Sequence, residues 1–168
     1  RDDSWHHVVI TADRAGATPS DGGLLMYIDG AKQTSTGDIS TLTGNINTSS
    51  GAASSAYSKL IIGIKSNDLA TGDFNGSIDE VAIFNNRLLS QSNVTAFYNS
   101  GAPKDISTED DLVAYWRFDE GSGNVIDSST NNFTGTLEGG ATYGAGAGGT
   151  AVTKLEINSN VINARKNI

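Results

Sequence analysis

The sequence predicts an all-β fold, a sandwich or jelly roll of short strands with one short helix. Three observations carry that expectation. Runs of β-branched and aromatic residues recur along the chain, each of strand length and each bounded by Gly, Asn, Asp or Ser. Turns are frequent and are made by glycine rather than proline, with Gly 20 against Pro 2. A single segment has both the apolar spacing and the caps of a helix.

The elements follow in order. Residues 5–12 read as a strand with apolar groups on both faces, as expected where both faces are covered. Leu24 to Ile28 is the next strand. Asp29-Gly30 follows, a dipeptide suited to a type I′ hairpin because both central residues need positive φ. Residues 31–36 return antiparallel. Residues 37–57, rich in Thr, Ser, Gly and Asn, form a long loop with room for one weak strand. Residues 59–64 are strongly apolar, and residues 67–72 are turn-rich. Residues 76–84 form a strand with Ile78, Glu80, Ala82 and Phe84 on one face and Asp79, Val81 and Ile83 on the other.

The helix starts at Ser90, whose side chain can cap it. Val94, Phe97 and Tyr98 share its buried face, and Gly101 stands just past its end. Residues 102–111, acidic and with Pro103, read as a connector. Residues 112–118 and 133–137 are strands. Residues 139–149 are very rich in Gly and Ala, which implies mobility or close packing. Residues 152–157 alternate as a final strand that Val161-Ile162 can extend. No internal repeat of about 20–50 residues stands out.

Composition narrows the function. The 168 residues suffice for one well-buried domain. A formal net charge of −8 disfavours nucleic acid as a partner, since Lys and Arg supply most of that affinity. There is no Cys, hence no disulfide and no thiol chemistry. No run reaches the roughly 18 apolar residues of a membrane span. A start at Arg1 without Met or signal peptide suggests a piece cut or processed from a larger protein.

Five segments point to a family. Trp5-His6-His7-Val8-Val9-Ile10-Thr11 comes first, followed by Leu25-Met26-Tyr27-Ile28-Asp29-Gly30, Leu60-Ile61-Ile62-Gly63, and Phe74-Asn75-Gly76-Ser77-Ile78-Asp79-Glu80-Val81-Ala82-Ile83-Phe84-Asn85. Leu112-Val113-Ala114-Tyr115-Trp116-Arg117-Phe118-Asp119-Glu120-Gly121-Ser122-Gly123 comes later. Together they resemble laminin-G-like (LamG) domains of the concanavalin A-like lectin/glucanase superfamily. The resemblance implies a concanavalin A-like jelly roll of two antiparallel sheets. It also implies that the order is unusual, because in that family the Tyr-Trp-x-Phe-Asp-Glu segment opens the domain and the Trp-His-His-Val segment falls past its middle. The chain therefore divides into residues 1–101, a closing half; 102–111, a connector; and 112–168, opening-type strands that complete the same sandwich. Alternatives are a fragment across two domains and completion by another subunit. Pairing of residues 112–137 with residues 76–84 inside one chain favours completion from within. The family's middle strands are missing, and residues 154–168 have no family counterpart.

The resemblance also implies a structural calcium ion (Ca2+), with Asp79, Asp127 and Asn131 as ligands beside carbonyls of the Gly-rich turns. Calcium takes about six to eight oxygens. The competing reading is that Asp79 makes local caps or ion pairs and Asp127 only an Asx-turn. Glycosidase chemistry needs two carboxyls, about 5 Å apart in retaining enzymes. The glucanase strand pattern Glu-x-Asp-x-(x)-Glu is not met here, because Ser77 replaces the first Glu while Val81 and Ala82 offer no second. His6 and His7 face opposite ways on a strand and read as packing and hydrogen-bonding groups. Trp5, Tyr27, Tyr57, Tyr115 and Trp116 could stack on a sugar. Trp5 and Trp116 sit in core motifs, which makes them buried anchors, and Tyr57 is the exposed aromatic. Residues 13–23 and 65–73 are the loops expected to hold ligand contacts. The Asn-x-Ser/Thr triplets at Asn47, Asn75, Asn93 and Asn132 are expected by chance.

The function expected is a non-enzymatic adhesion or recognition module of an extracellular or virion-surface protein. Its partner is a glycan or a protein surface, with neighbouring domains or subunits of a larger assembly, and without nucleic acid or membrane insertion. The alternative is a structural decoration or spacer that stabilises such an assembly.

Overall fold

The computed structural model describes residues 2–13, 23–33, 60–63, 74–146, 150–152 and 155–157. The expected ligand loops, apart from Asp13 and Gly23, lie outside these residues, as do Tyr57, the long loop and the extension at Val161-Ile162. The described elements are antiparallel strands with one α-helix, as an all-β fold requires. The chain forms two compact units, residues 1–45 with 87–105 and residues 46–86 with 106–168.

The first unit holds a three-stranded meander, β1 (Val8–Ala12), β2 (Leu24–Ile28) and β3 (Ala31–Lys32). Asp29 (φ 52°) and Gly30 (φ 78°) both sit at positive φ between β2 and β3, which is the expected primed turn. Val9 pairs with Tyr27 and Thr11 with Leu25, while Val8 pairs with Ile28 and Ile10 with Met26. Directly opposed residues share a face, so two faces are defined. Tyr27 is 3 % exposed and Thr11 6 %, so theirs is the packed face. Helix α1 (Gln91–Tyr98) lies over it, with Val94 and Phe97 buried and the Tyr98 ring 5.9 Å from the His7 ring. The other face stays open, with Val8 55 % and Ile10 65 % exposed. The expectation that both faces are covered is therefore corrected: one short helix covers only one side of so small a sheet. Trp5 precedes the ladder and is 44 % exposed, so it is not the buried anchor its motif suggested.

Ser90 caps α1 as its position promised. Its hydroxyl accepts from the Asn93 N–H at 3.2 Å, and its own N–H donates to Asn93 Oδ1 at 3.2 Å. This is a reciprocal capping box with Asn in place of Glu or Gln. The helix stops earlier than Gly101. Asn99 (φ 45°) and Ser100 (φ 58°) already turn left-handed, which short polar side chains tolerate.

The second unit holds β4 (Leu60–Ile62), β5 (Val81–Phe84), β6 (Leu112–Trp116), β7 (Gly135–Thr136), β8 (Tyr143–Ala145), β9 (Thr150–Val152) and β10 (Leu155–Ile157). β10 lies between β4 and β7, β8 pairs with β9, and β5 pairs with β6, all antiparallel. β8 falls within the Gly- and Ala-rich stretch: glycine-rich sequence does not preclude a short edge ladder. Ala114, Trp116, Phe118 and Val125 are fully buried and form the core, with Ile78, Val81, Ile83 and Phe133 packed against it.

The strand expected over residues 76–84 is broken. Glu80 adopts φ 54°, and the β5 ladder begins only at Val81. Strict alternation would put Ile78 opposite Val81, yet both meet the same core. One left-handed residue shifts the phase by one, as a β-bulge does.

Candidate functional site

β6 organises the second unit's polar groups. Trp116 pairs with Val81 on one side and bridges Asp127 on the other. Its indole Nε1–H donates to the Phe133 carbonyl at 2.7 Å. Asp127, 3 % exposed, gathers four donors. Its Oδ1 accepts from the Tyr115 N–H at 2.9 Å and the Ser129 N–H at 2.8 Å. Its Oδ2 accepts from the Ser129 hydroxyl and the Phe133 N–H, each at 2.8 Å. The Ser129 contact two residues on is an Asx-turn. Asn131 belongs to the same loop, with its Nδ2–H donating to the Val113 carbonyl at 2.9 Å.

This geometry tests the calcium expectation. Asp127 and Asn131 lie together, but Asp79 precedes β5, on the opposite flank of β6. At the usual strand spacing, backbones one strand removed from each other stand about 10 Å apart. Both Asp127 oxygens are already occupied, so a cation would have to displace backbone donors. As placed, these residues do not fit calcium. Among the described residues, no group of three or more His, Cys, Asp or Glu could hold a metal ion.

Glu80 makes a second cluster that the sequence did not reveal. The Tyr115 hydroxyl donates to Glu80 Oε2. Arg117 Nε lies 4.0 Å from Glu80 Oε1, and its guanidinium bridges to Asp119 at 3.0 Å. Burial is the main force raising the Glu80 carboxyl above its ordinary value, opposed by the Tyr115 hydrogen bond and helped by the charge of Asp79. Tyr115 is fully buried and Tyr27 nearly so, which removes both as sugar platforms. Nearby, Glu120 accepts from the Ile126 N–H at 2.9 Å and the Tyr143 hydroxyl at 3.2 Å. Partial burial and the Glu120 charge push the Tyr143 hydroxyl up to about 12. These contacts staple loops together.

A groove of about 470 Å³ opens in the first unit. Asp29, Gly30 and Ala31 form one wall, and Thr95, Ala96, Tyr98, Asn99 and Ser100 form the other. Gly30 lets the walls approach: a Cβ there would stand 3.0 Å from Tyr98 Cδ1. The Gln91 amide ties the helix to the turn, donating to the Gly30 carbonyl at 2.6 Å. Asp29 is held on both oxygens, Oδ1 by the His7 N–H at 2.9 Å and Oδ2 by His6 Nδ1 at 2.7 Å. His6 and His7 thus serve the turn, in keeping with the hydrogen-bonding and packing roles expected of them. A carboxylate, a phenol ring, an amide and a hydroxyl converge on one concavity, the mixture that orients a polar ligand. Sequence reasoning placed ligand contacts in other loops. Asp29 was legible only as a turn residue, and no local pattern brings it to the end of α1.

Residues 1–95 match the family model Laminin_G_3, described as the concanavalin A-like lectin/glucanases superfamily. The chain belongs to this superfamily. The match takes in the Trp-His-His-Val strand, the Asp29 turn, β5 and the start of α1. No curated protein and no solved structure matches the chain. Membership agrees with the antiparallel strands, and it is compatible with a carbohydrate-binding module. Among the described residues, no helix is long and apolar enough to cross a membrane.

Proposed function

We propose that this chain is a non-enzymatic recognition module that binds a glycan or a protein surface, as part of an extracellular or virion-surface protein. The groove between the Asp29 turn and the end of α1 is its binding site. The observation that carries the reading is the convergence of Asp29, Tyr98, Asn99 and Ser100 on one concavity of a lectin-like superfamily member. The groove is open and shallow, so single contacts are weak and repetition along an array would supply avidity.

A glycan array probed with the whole chain tests this, with Ala96→Trp as the control. Ala96 is exposed on the groove wall, so the indole fills the site without disturbing a core. Binding to a defined sugar set, weakened about tenfold or more by Ala96→Trp, supports the reading. Binding that ignores the substitution rejects the groove, and an array without hits rejects the glycan ligand.

A second reading, a structural decoration or spacer of a larger assembly, draws on the open face of β1. Exposed Val8 and Ile10 are costly in water and suit burial in an assembly. Restored burial of Ile10 in the assembled particle, read by solvent exchange, would favour it. Completion of the sandwich by residues 112–168 belongs to both readings, and the β5–β6 ladder supports it.

A further inference from the structure

His6 stands between two carboxylates. Its Nδ1 lies 2.7 Å from Asp29 Oδ2, on the turn between β2 and β3, and its Nε2 lies 3.0 Å from Asp2 Oδ2, on the segment before β1. Asp2 is itself part of a small knot, accepting from the Ser4 N–H at 3.2 Å. Ionised carboxylates only accept hydrogen bonds, and a neutral imidazole has a single N–H. Both contacts can therefore be hydrogen bonds only when both ring nitrogens carry protons.

We propose that His6 is a proton-operated latch that ties the segment around Asp2 to the Asp29 turn when charged and releases Asp2 when neutral. The two contacts are not equivalent. Asp29 is fixed from behind by the His7 N–H on its other oxygen, and its contact with the ring is the shorter one. Asp2 is the more exposed partner, at 62 % against 34 %. A neutral ring therefore keeps its one proton on Nδ1, facing Asp29. Nε2 then presents a lone pair to the Asp2 carboxylate, and that contact turns repulsive.

Among the described residues, the charged groups facing His6 are Asp2 and Asp29. The ring's hydrogen bonds to these carboxylates, the one to Asp29 first, raise the imidazole above its ordinary value. His7 is next in the chain, but it turns to the packed face against Tyr98, and burial lowers it. It is therefore neutral where His6 is still charged and does not compete for Asp29. The latch closes as pH falls through the raised His6 midpoint and opens as pH rises through it. Because Asp29 is also a groove wall, the segment around Asp2 is tied beside this rim at acidic pH and freed from it at alkaline pH, while Asp29 itself stays held by the His7 N–H. The latch does not depend on what the groove binds.

A nuclear magnetic resonance titration of the whole chain tests it, following the His6 and His7 rings and the Ser4 amide. His6 should titrate above the ordinary imidazole value of about 6.5, and the Ser4 amide should move with the same midpoint. Asp2→Asn should bring the His6 midpoint down and leave that of His7 in place. In His6→Gln, the Ser4 amide should stay still over that pH range. A His6 midpoint at the ordinary value, or a Ser4 response unchanged in His6→Gln, would overturn the proposal. Asp2 is exposed, so Asp2→Asn keeps the test readable even if His6→Gln loosens the fold.

Discussion

Ile83 and Ala114 stand opposite each other in the antiparallel ladder that joins β5 to β6. β5 belongs to the leading family segment and β6 to the trailing one, so this pair is where the unusual order of motifs becomes a physical contact. Directly opposed residues in such a ladder have Cα atoms about 4.5–5.5 Å apart, inside the window a disulfide accepts. The chain has no Cys of its own, so an engineered pair reports cleanly. Ile83→Cys with Ala114→Cys should oxidise to a disulfide within one chain, seen as a compact monomer on a non-reducing gel. A disulfide-linked dimer would instead mean that strands are exchanged between copies.

Asp127 is the polar centre of the trailing segment, and its worth follows from its donors. Asn keeps the size but turns an N–H group toward N–H donors. One or two of the four contacts are then lost, and each buried group left unsatisfied costs about 1–3 kcal/mol. Asp127→Asn should destabilise the chain by about 3 kcal/mol or more, measured by denaturant unfolding. Ser129→Ala removes one donor to Asp127 together with the acceptor of the Asn131 N–H and should cost less, about 1–2 kcal/mol. Because protein donors already satisfy Asp127, stripping calcium with a chelator should leave Tm unchanged. A clear fall in Tm would restore Asp79, Asp127 and Asn131 as metal ligands and contradict the geometry.

Glu80 gives a pH dependence whose sign can be worked out. Burial raises its carboxyl in the folded chain, so the folded state binds that proton more tightly than the unfolded state does. Stability from this group is full below the ordinary Glu value and falls as pH rises through the raised folded value. Glu80→Gln keeps an oxygen to accept from the Tyr115 hydroxyl and removes the ionisation. It should flatten the stability profile above pH about 4.3, the ordinary value, and leave stability at neutral pH equal or higher. Urea midpoints measured from pH 4 to 7 on both proteins decide it. A variant that keeps the parent's slope would show that the slope comes from other groups.

Much of this was readable before the structure, and the unread part has a pattern. Ser90 announced its helix, Asp29-Gly30 its turn and Trp116 its core, because a cap, a primed turn and a buried aromatic motif are each decided within a few residues. Glu80 was misplaced because a single left-handed residue inverts every later side chain, and only tertiary packing selects it. Trp5 and Ile10 read as buried in the sequence because hydrophobic pattern reports what a chain can bury, not what lies opposite it. The groove escaped notice because Asp29 and Asn99 are far apart in sequence and only folding brings them to one concavity.

Gly30 offers the sharpest test of that concavity. It holds φ 78°, and a Cβ added there would stand 3.0 Å from the Tyr98 ring. Gly30→Ala meets two penalties at once. The left-handed backbone costs a non-glycine residue about 1–2 kcal/mol. The methyl also pushes Tyr98 back and strains the short Gln91 hydrogen bond to the Gly30 carbonyl. The variant should lose about 2 kcal/mol, and its Tyr98 fluorescence or ring shifts should change with the wall. Gln91→Ala should weaken the same wall without touching the turn. If Gly30→Ala is as stable as the parent and its Tyr98 signals are unmoved, the turn and the helix end are not packed as one wall, and the groove loses its physical basis.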